Sequence, residues 1–182
     1  MNRLEIILIG TLIAVSFYGC MNITGPRYSV SVDNAQELKR LEGAKARMVS
    51  IKPGVHYNNS CRGTATVQAP DGMTVPQYVE KAFNDELKNS GIYDPHTGAE
   101  LSGVMLQMEF SSTANLTGGW WALGMKLASS NTKSMLIQSV YYFDSSFEGG
   151  MACTMTAQAL MPAVQDFIRK TITDPKFNEL LR

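Results

Sequence analysis

The residues able to do nucleophilic or acid–base chemistry are few. The chain has two histidines, His56 and His96, and both lie in sequence typical of turns. A Cys–His or Ser–His enzyme would have to bring one of them to a cysteine, a serine or a carboxylate. No Gly-x-Ser-x-Gly elbow, phosphate-binding glycine loop, Cys-x-x-Cys pair or His-Glu-x-x-His helix occurs. We therefore expect no enzymatic activity, no metal and no cofactor. The rival reading is an enzyme that pairs a histidine with Cys61 or with a carboxylate.

Two adjacent acids, Asp85 and Glu86, lie in a segment with helical periodicity. Neighbours one residue apart on a helix point in different directions, so they do not form a paired acid and base. We expect both to be solvated surface charges.

Two cysteines in the body of the chain, Cys61 and Cys153, form an even pair. In an exported protein such a pair predicts a disulfide. The alternative is two buried free cysteines, since a free thiol packs well in a core.

A third cysteine, Cys20, ends an N-terminal stretch with the layout of an export signal. Arg3 supplies the positive charge, residues 6–17 are largely apolar, and Gly19 is the small residue at the expected cleavage point. The apolar run is shorter than the roughly 20 residues needed to span a bilayer. The pattern predicts a cleaved signal over residues 1–19. The alternatives are a secretory signal with a chance cysteine, or a short N-terminal core helix.

Gly19-Cys20 at the end of such a run resembles the lipobox of bacterial lipoproteins. That resemblance implies a diacylglycerol on the Cys20 sulfur, cleavage before Cys20 and acylation of the new N-terminus. More than one acyl chain gives a stable anchor, because each buried CH₂ contributes about 0.8 kcal/mol. In similar lipoproteins, an Asp directly after the lipidated cysteine causes retention in the inner membrane. The residue here is Met21, so the resemblance implies delivery to the outer membrane, facing the periplasm. We expect residues 20–27 to be a lipidated tether.

Residues 28–182 have the size of one domain. The chain is 45% hydrophobic with 16 basic and 16 acidic residues, and removing residues 1–19 removes one Arg and one Glu. The net charge stays at zero, which argues against nucleic-acid binding, since that requires a basic surface.

The order of elements predicts an α+β fold with an antiparallel sheet of four to five strands and two main helices packed on one face. The clearest helix covers residues 75–89, with Thr74 as N-cap and Gly91 after its end. A second helical region, 151–172, should break at Pro162. The predicted strands are 28–32, 46–52, 64–68, 104–110, 120–127 and 134–143, and short helices are expected at 35–41 and from Pro175 to Leu181. The alternation in 104–110 predicts a shared face for Val104, Leu106, Met108 and Phe110.

Aromatic residues in two of these strands are candidate partner contacts. Trp120 and Trp121 must point to opposite faces of a strand, so one packs in the core and the other is exposed or covered by a loop. Exposed aromatics often anchor interfaces. The candidate interface residues are Trp120, Trp121, Tyr141, Tyr142 and Phe147.

The lipobox together with this order of elements resembles YajG-type and lipopolysaccharide-assembly-type small periplasmic lipoproteins. The resemblance implies a non-enzymatic accessory or assembly subunit that contacts an envelope protein or associates with itself. The alternative is a periplasmic domain that binds a lipid or a glycan, which would need an apolar pocket.

Overall fold

The computed structural model describes residues 21–41, 43–115 and 117–182, so Cys20 and the predicted signal over residues 1–19 lie outside the described residues. The described part of the chain forms two sheets and five α-helices. The strands are β1 (Met21–Thr24), β2 (Ala46–Pro53), β3 (Ser60–Cys61), β4 (Ala65–Gln68), β5 (Ala99–Ala114), β6 (Gly118–Ser129) and β7 (Ser134–Asp144). The helices are α1 (Val32–Lys39), α2 (Val75–Ser90), α3 (Gly149–Gln158), α4 (Leu160–Thr173) and α5 (Pro175–Leu180).

The main sheet has the strand order β2-β5-β6-β7. Strands β5, β6 and β7 form the expected antiparallel meander, and the α+β class is confirmed. Strand β2 differs from the expected antiparallel arrangement, because it pairs parallel to β5. A parallel pair needs a crossover connection, and here the crossover carries β3, β4 and α2.

The smaller sheet has the order β1-β4-β3. Its first strand, Met21–Thr24, lies in the segment expected to be a tether and pairs parallel with β4. Met21 and Ile23 alternate with Asn22 and Thr24, but four residues are too few to distinguish a strand from a tether. Within the described residues, the small sheet therefore includes Met21, the residue that follows Cys20.

A β-bulge in β5 overturns the predicted face of that strand. Register with β6 shifts between Met105 and Gln107, so Leu106 is an extra residue. Before the bulge Met105 points into the core while Val104 is exposed, and after it Met108 points into the core. The predicted shared face of Val104, Leu106, Met108 and Phe110 is therefore wrong, because Val104 and Leu106 are exposed whereas Met108 and Phe110 pack in or against the core.

Helix α2 is the best-specified helix. Thr74 and Gln77 form a capping box, and Gly91 ends the helix in the left-handed region at φ 77°. Helix α1 begins at Val32 with Ser31 as its N-cap, so the strand expected over residues 28–32 does not form. The predicted break in the long C-terminal helical region falls at Ala159, which places Pro162 in the first turn of α4, where no N–H is needed.

One core joins both sheets to the helices. Helices α2 and α4 cover one face of the main sheet and bury Phe83, Leu87, Val164 and Phe167 against it. Cys61 on β3 and Cys153 on α3 form a disulfide that links the small sheet to the helical layer. Among the described helices, none is both long and apolar enough to cross a membrane.

Candidate functional site

Both histidines considered for catalysis are exposed in the described structure. His56 is exposed in the loop after β2. His96 is exposed in a turn where its backbone N–H donates to Asp94 Oδ1 at 2.8 Å. The disulfide occupies the thiols of Cys61 and Cys153, whose Cα atoms are 5.9 Å apart. Within the described ranges, no three His, Cys, Asp or Glu side chains lie close enough to hold a metal.

Glu86 is fully buried, which overturns its expected surface position. Its Oε1 accepts hydrogen bonds from the Tyr28 hydroxyl at 2.5 Å, the Ser31 N–H at 2.8 Å and Asn34 Nδ2 at 3.2 Å. These bonds attach the segment before α1 to α2. Burial and the Glu86 carboxylate both raise the pKa of Tyr28. Helical spacing could have found this residue, because position 86 follows Val79 by seven and Phe83 by three.

Trp121 belongs to the core. Its side chain is fully buried, its ring packs against Phe110 at 5.0 Å and Tyr57 at 6.2 Å between centroids, and its Nε1 donates to the Thr156 carbonyl at 2.9 Å. Tyr141 lies opposite Trp121 on β7 and is partly buried against the same core. These two candidate interface residues therefore face the helices.

Trp120 and Tyr142 lie side by side on the opposite face of the main sheet. We call this the open face. Trp120 is partly exposed and Tyr142 is 72% exposed. Phe147, the last candidate, is 79% exposed in the loop after β7. Other exposed apolar side chains of the open face are Val104, Leu106, Leu136 and Val140.

Polar side chains separate the apolar ones on the open face. Gln107 donates to Glu109 at 3.1 Å, and Gln138 lies on the far side of Gly124 from Gln107. The open face therefore alternates aromatic or aliphatic side chains with hydrogen-bonding groups.

The two edge strands of the main sheet differ in whether side chains bond their outward backbone groups. At β2, Asn84 of α2 bonds both the N–H and the C=O of Met48, at 3.0 and 2.9 Å, and Glu80 accepts from the Ile51 N–H at 2.9 Å. These side chains satisfy the outward backbone groups of that edge. Lys52 and Pro53 further discourage pairing there.

Strand β7 forms the other edge and carries no such protection within the described residues. Two backbone hydrogen bonds lie at the two ends of its ladder with β6. The Ser129 N–H donates to the Lys133 carbonyl, and the Ser145 N–H donates to the Thr117 carbonyl. In antiparallel pairing they direct the odd-numbered residues of β7 toward β6, so the even-numbered residues point their N–H and C=O groups outward. Those residues include Leu136, Gln138, Val140 and Tyr142.

A pocket of about 690 Å³ opens between the small sheet, the loop after β2 and the start of α2. Its lining is mainly apolar, and no Lys, Arg, Asp or Glu among the described residues contributes to it. Tyr57 lies in its wall, donates to the Val67 carbonyl at 3.1 Å, and has its pKa raised by burial. Sequence reasoning missed the pocket because its residues come from four separate segments. Prominent lining residues are Val55, His56, Tyr57, Val67, Met73 and Met108.

The arrangement defines a domain with one helix-covered sheet face, one open face and one unprotected sheet edge. No protein-family model matches the chain, and no curated protein matches it. Among solved structures, a DUF330 protein from Xanthomonas campestris is similar at 13% identity and a TM-score of 0.42, covering 81% of each chain. PelC from Paraburkholderia phytofirmans, solved as a dodecamer, is similar at 13% identity and a TM-score of 0.37, covering 87% of this chain and 94% of its own. Likenesses of this size do not define a function.

Proposed function

We propose that the protein is a non-enzymatic accessory or assembly subunit of the bacterial cell envelope, held at the outer membrane by lipid on Cys20 and facing the periplasm. It contacts an envelope protein through the open face and the β7 edge. The observation that carries this proposal is the contrast between the two sheet edges. Edge β2 is bonded by Asn84 and Glu80, whereas β7 leaves outward backbone groups beside exposed Leu136, Val140 and Tyr142.

A partner strand added to β7 would gain main-chain hydrogen bonds along the edge, while side chains of the open face would give specificity. Tyr142, 72% exposed and next to Trp120, is the strongest anchor because aromatic residues concentrate the binding energy of interfaces. The lipid anchor adds no contact to the partner. It confines both proteins to one surface and so raises their effective concentration.

The test is site-specific photo-crosslinking in a bacterial host that lipidates the full chain. A photoreactive phenylalanine analogue at Val140 should capture a defined envelope protein, whereas the same analogue at Val32, 71% exposed on α1, should not. Equal capture at both positions, or capture at neither, would exclude the β7 edge as the contact.

A pair of variants at Gln138 separates the backbone edge from the side chains. Gln138→Pro removes an outward N–H without breaking a bond to β6, and Pro is tolerated at such edge positions. Gln138→Ala removes the side chain and keeps the N–H. We expect Gln138→Pro to abolish crosslinking from Val140, and Gln138→Ala to retain it.

A second candidate function, binding of an uncharged lipid or glycan, is favoured by the 690 Å³ pocket. Pockets of roughly 300–1,000 Å³ with apolar linings are typical of small-molecule sites. Val55, 39% exposed at the rim, can be replaced by Trp to fill the mouth, with Val49→Trp on β2 as the control outside the lining. A fluorescent apolar probe should bind the parent protein and Val49→Trp but not Val55→Trp. Equal binding by all three would exclude the pocket.

A further inference from the structure

We propose that the end of the domain next to Cys20 makes a second contact with the lipid bilayer through Met21, Phe147 and Met151. We call these three residues the anchor-end patch. This inference rests on the proposed anchor at Cys20. It adds that the domain lies on the membrane in one orientation and does not swing freely from its lipid.

The strand pairing places the patch beside the anchor point. Met21, the residue after Cys20, pairs with Ala65 on β4, and Ala65 pairs with Cys61 on β3. Neighbouring strands are about 4.8 Å apart, so Met21 and Cys61 are about 10 Å apart. Cys61 is bonded to Cys153, two residues after Met151 in the first half of α3.

Arg62 brings the loop of Phe147 to the same end. Its Nη1 donates to the Phe147 carbonyl and one of its Nη2 bonds goes to the Ser146 carbonyl, both at 3.1 Å. The guanidinium also donates to the side chain and the carbonyl of Ser112, at 3.2 and 3.0 Å. Arg62 therefore fixes the position of the loop while the Phe147 ring points away from the core.

The three side chains of the patch are apolar and exposed, and contact between apolar surface and water is unfavourable. Phe147 is 79% exposed, Met151 is 54% exposed and Met21 is 51% exposed. Amphipathic surface elements bury such side chains about 5–10 Å into the boundary between headgroups and acyl chains. Three exposed apolar side chains around an expected lipid attachment point fit a bilayer surface, because the lipid already brings them to it.

Two charged groups at this end, Arg62 and Glu148, are already bonded, which reduces the cost of bringing them close to the headgroups. The donors of Arg62 are used by carbonyl and hydroxyl oxygens. Glu148 caps α3 by accepting from the Gly150 and Met151 N–H groups at 2.7 and 2.6 Å, which lowers the pKa of that carboxyl. Asp144 is exposed at the end of β7 and sets a limit on how deep the patch can go.

The test compares two positions at opposite ends of the β7 region. Phe147→Cys and Leu136→Cys replace side chains that are 79% and 67% exposed. Eleven residues separate them, about 36 Å if extended. The introduced thiol is the one available for a polarity-sensitive fluorophore, because Cys61 and Cys153 are bonded and Cys20 carries lipid. The lipidated full-length chain is then reconstituted in phosphatidylethanolamine–phosphatidylglycerol vesicles with or without nitroxide-labelled lipid.

We expect nitroxide lipid to quench the label at position 147 and to leave the label at position 136 unquenched. A further variant, Met151→Ser, should lower the ratio of inserted to water-exposed label at position 147 about fivefold. Leu136→Ser is its matched control and should leave that ratio unchanged.

Flotation of the vesicles distinguishes failure of the oriented contact from failure of the lipid anchor. Protein that floats with the vesicles but shows no quenching at 147, or equal quenching at 147 and 136, would overturn the oriented contact and leave the lipid anchor intact. Protein that does not float would overturn the anchor, and with it both the oriented contact and the membrane part of the proposed function.

Discussion

Two adjacent tryptophans offer the sharpest test of which sheet face stabilises the fold. Trp121→Ala deletes a fully buried indole that packs against Tyr57 and Phe110 and donates to the Thr156 carbonyl. Substitutions of this kind cost about 3–5 kcal/mol of unfolding free energy, and the lost hydrogen bond contributes about 1 kcal/mol of that. Trp120→Ala deletes a partly exposed side chain on the open face. We expect it to cost about 1–2 kcal/mol, because less apolar area leaves water.

The assay is urea unfolding of the lipidated chain in nonionic detergent, followed by far-ultraviolet circular dichroism so that both variants share one probe. With a slope near 2 kcal/mol per molar urea, Trp121→Ala should lower the midpoint by about 2 M. Trp120→Ala should lower it by less than about 1 M. In the photo-crosslinking experiment the order should reverse, with Trp120→Ala weakening capture of the partner. Equal midpoints for the two variants would refute the assignment of Trp121 to the core.

Three further predictions concern stability. Reducing the disulfide, or replacing both cysteines by Ser, should cost up to about 4–5 kcal/mol, because the bond closes a loop of 92 residues in the unfolded chain; urea midpoints with and without reductant check this. Glu86→Ala should cost about 3 kcal/mol or more because three donors lose their acceptor. Glu86→Gln keeps an acceptor oxygen for those donors but places an amide NH₂ where Oε2 has no partner, so it should cost less, about 1–2 kcal/mol. Urea unfolding of the two variants should preserve that order. The contribution of the buried tyrosines to stability should be constant below about pH 9 and fall above pH 10, because the unfolded chain ionises phenols that the fold keeps neutral. Each such phenol contributes a slope of at most about 1.4 kcal/mol per pH unit. Unfolding titrations from pH 8 to 11 check this, and the tyrosines whose pKa the fold raises are Tyr28, Tyr57 and Tyr78.

Local patterns were sufficient for α2 and for the meander, whereas α1 begins where a strand was expected. The capping residues Thr74 and Gly91 and the apolar spacing between them define α2 within one residue of its observed end. Strand β7 alternates between buried and exposed positions, and a polar turn separates it from β6. The bulge at Leu106 could not be read, because an inserted residue is invisible until the partner strand fixes the register. Strand β1 could not be read either, since four residues gain strand structure only by pairing with β4.

The sequence predicted which residue types would form the candidate site, but not which face or edge each residue would occupy. Alternation required Trp120 and Trp121 to diverge, but which of them was buried depended on where α3 presents the Thr156 carbonyl. Similarly, the sequence alone shows Asn84 and Glu80 only as ordinary polar residues of a helix. Their bonds to Met48 and Ile51 exist because α2 runs beside the edge of β2. The contrast between a protected and an unprotected edge is therefore a tertiary property.

The two proposed contacts constrain one another through β7. Tyr142 is five residues before Phe147, whereas Leu136 is six residues further from the anchor-end patch, about 20 Å along an extended strand. If the anchor-end patch lies on the bilayer, the aromatic end of the open face lies close to the membrane and the Leu136 end extends into the periplasm. A photoreactive residue at Tyr142 should then capture the membrane-proximal part of the partner, and one at Leu136 should capture a part further out. Peptide mapping of the two crosslinked products distinguishes these positions. Capture of the same peptide from both sites would contradict an oriented domain, because a strand held at one angle cannot present both ends to one short segment.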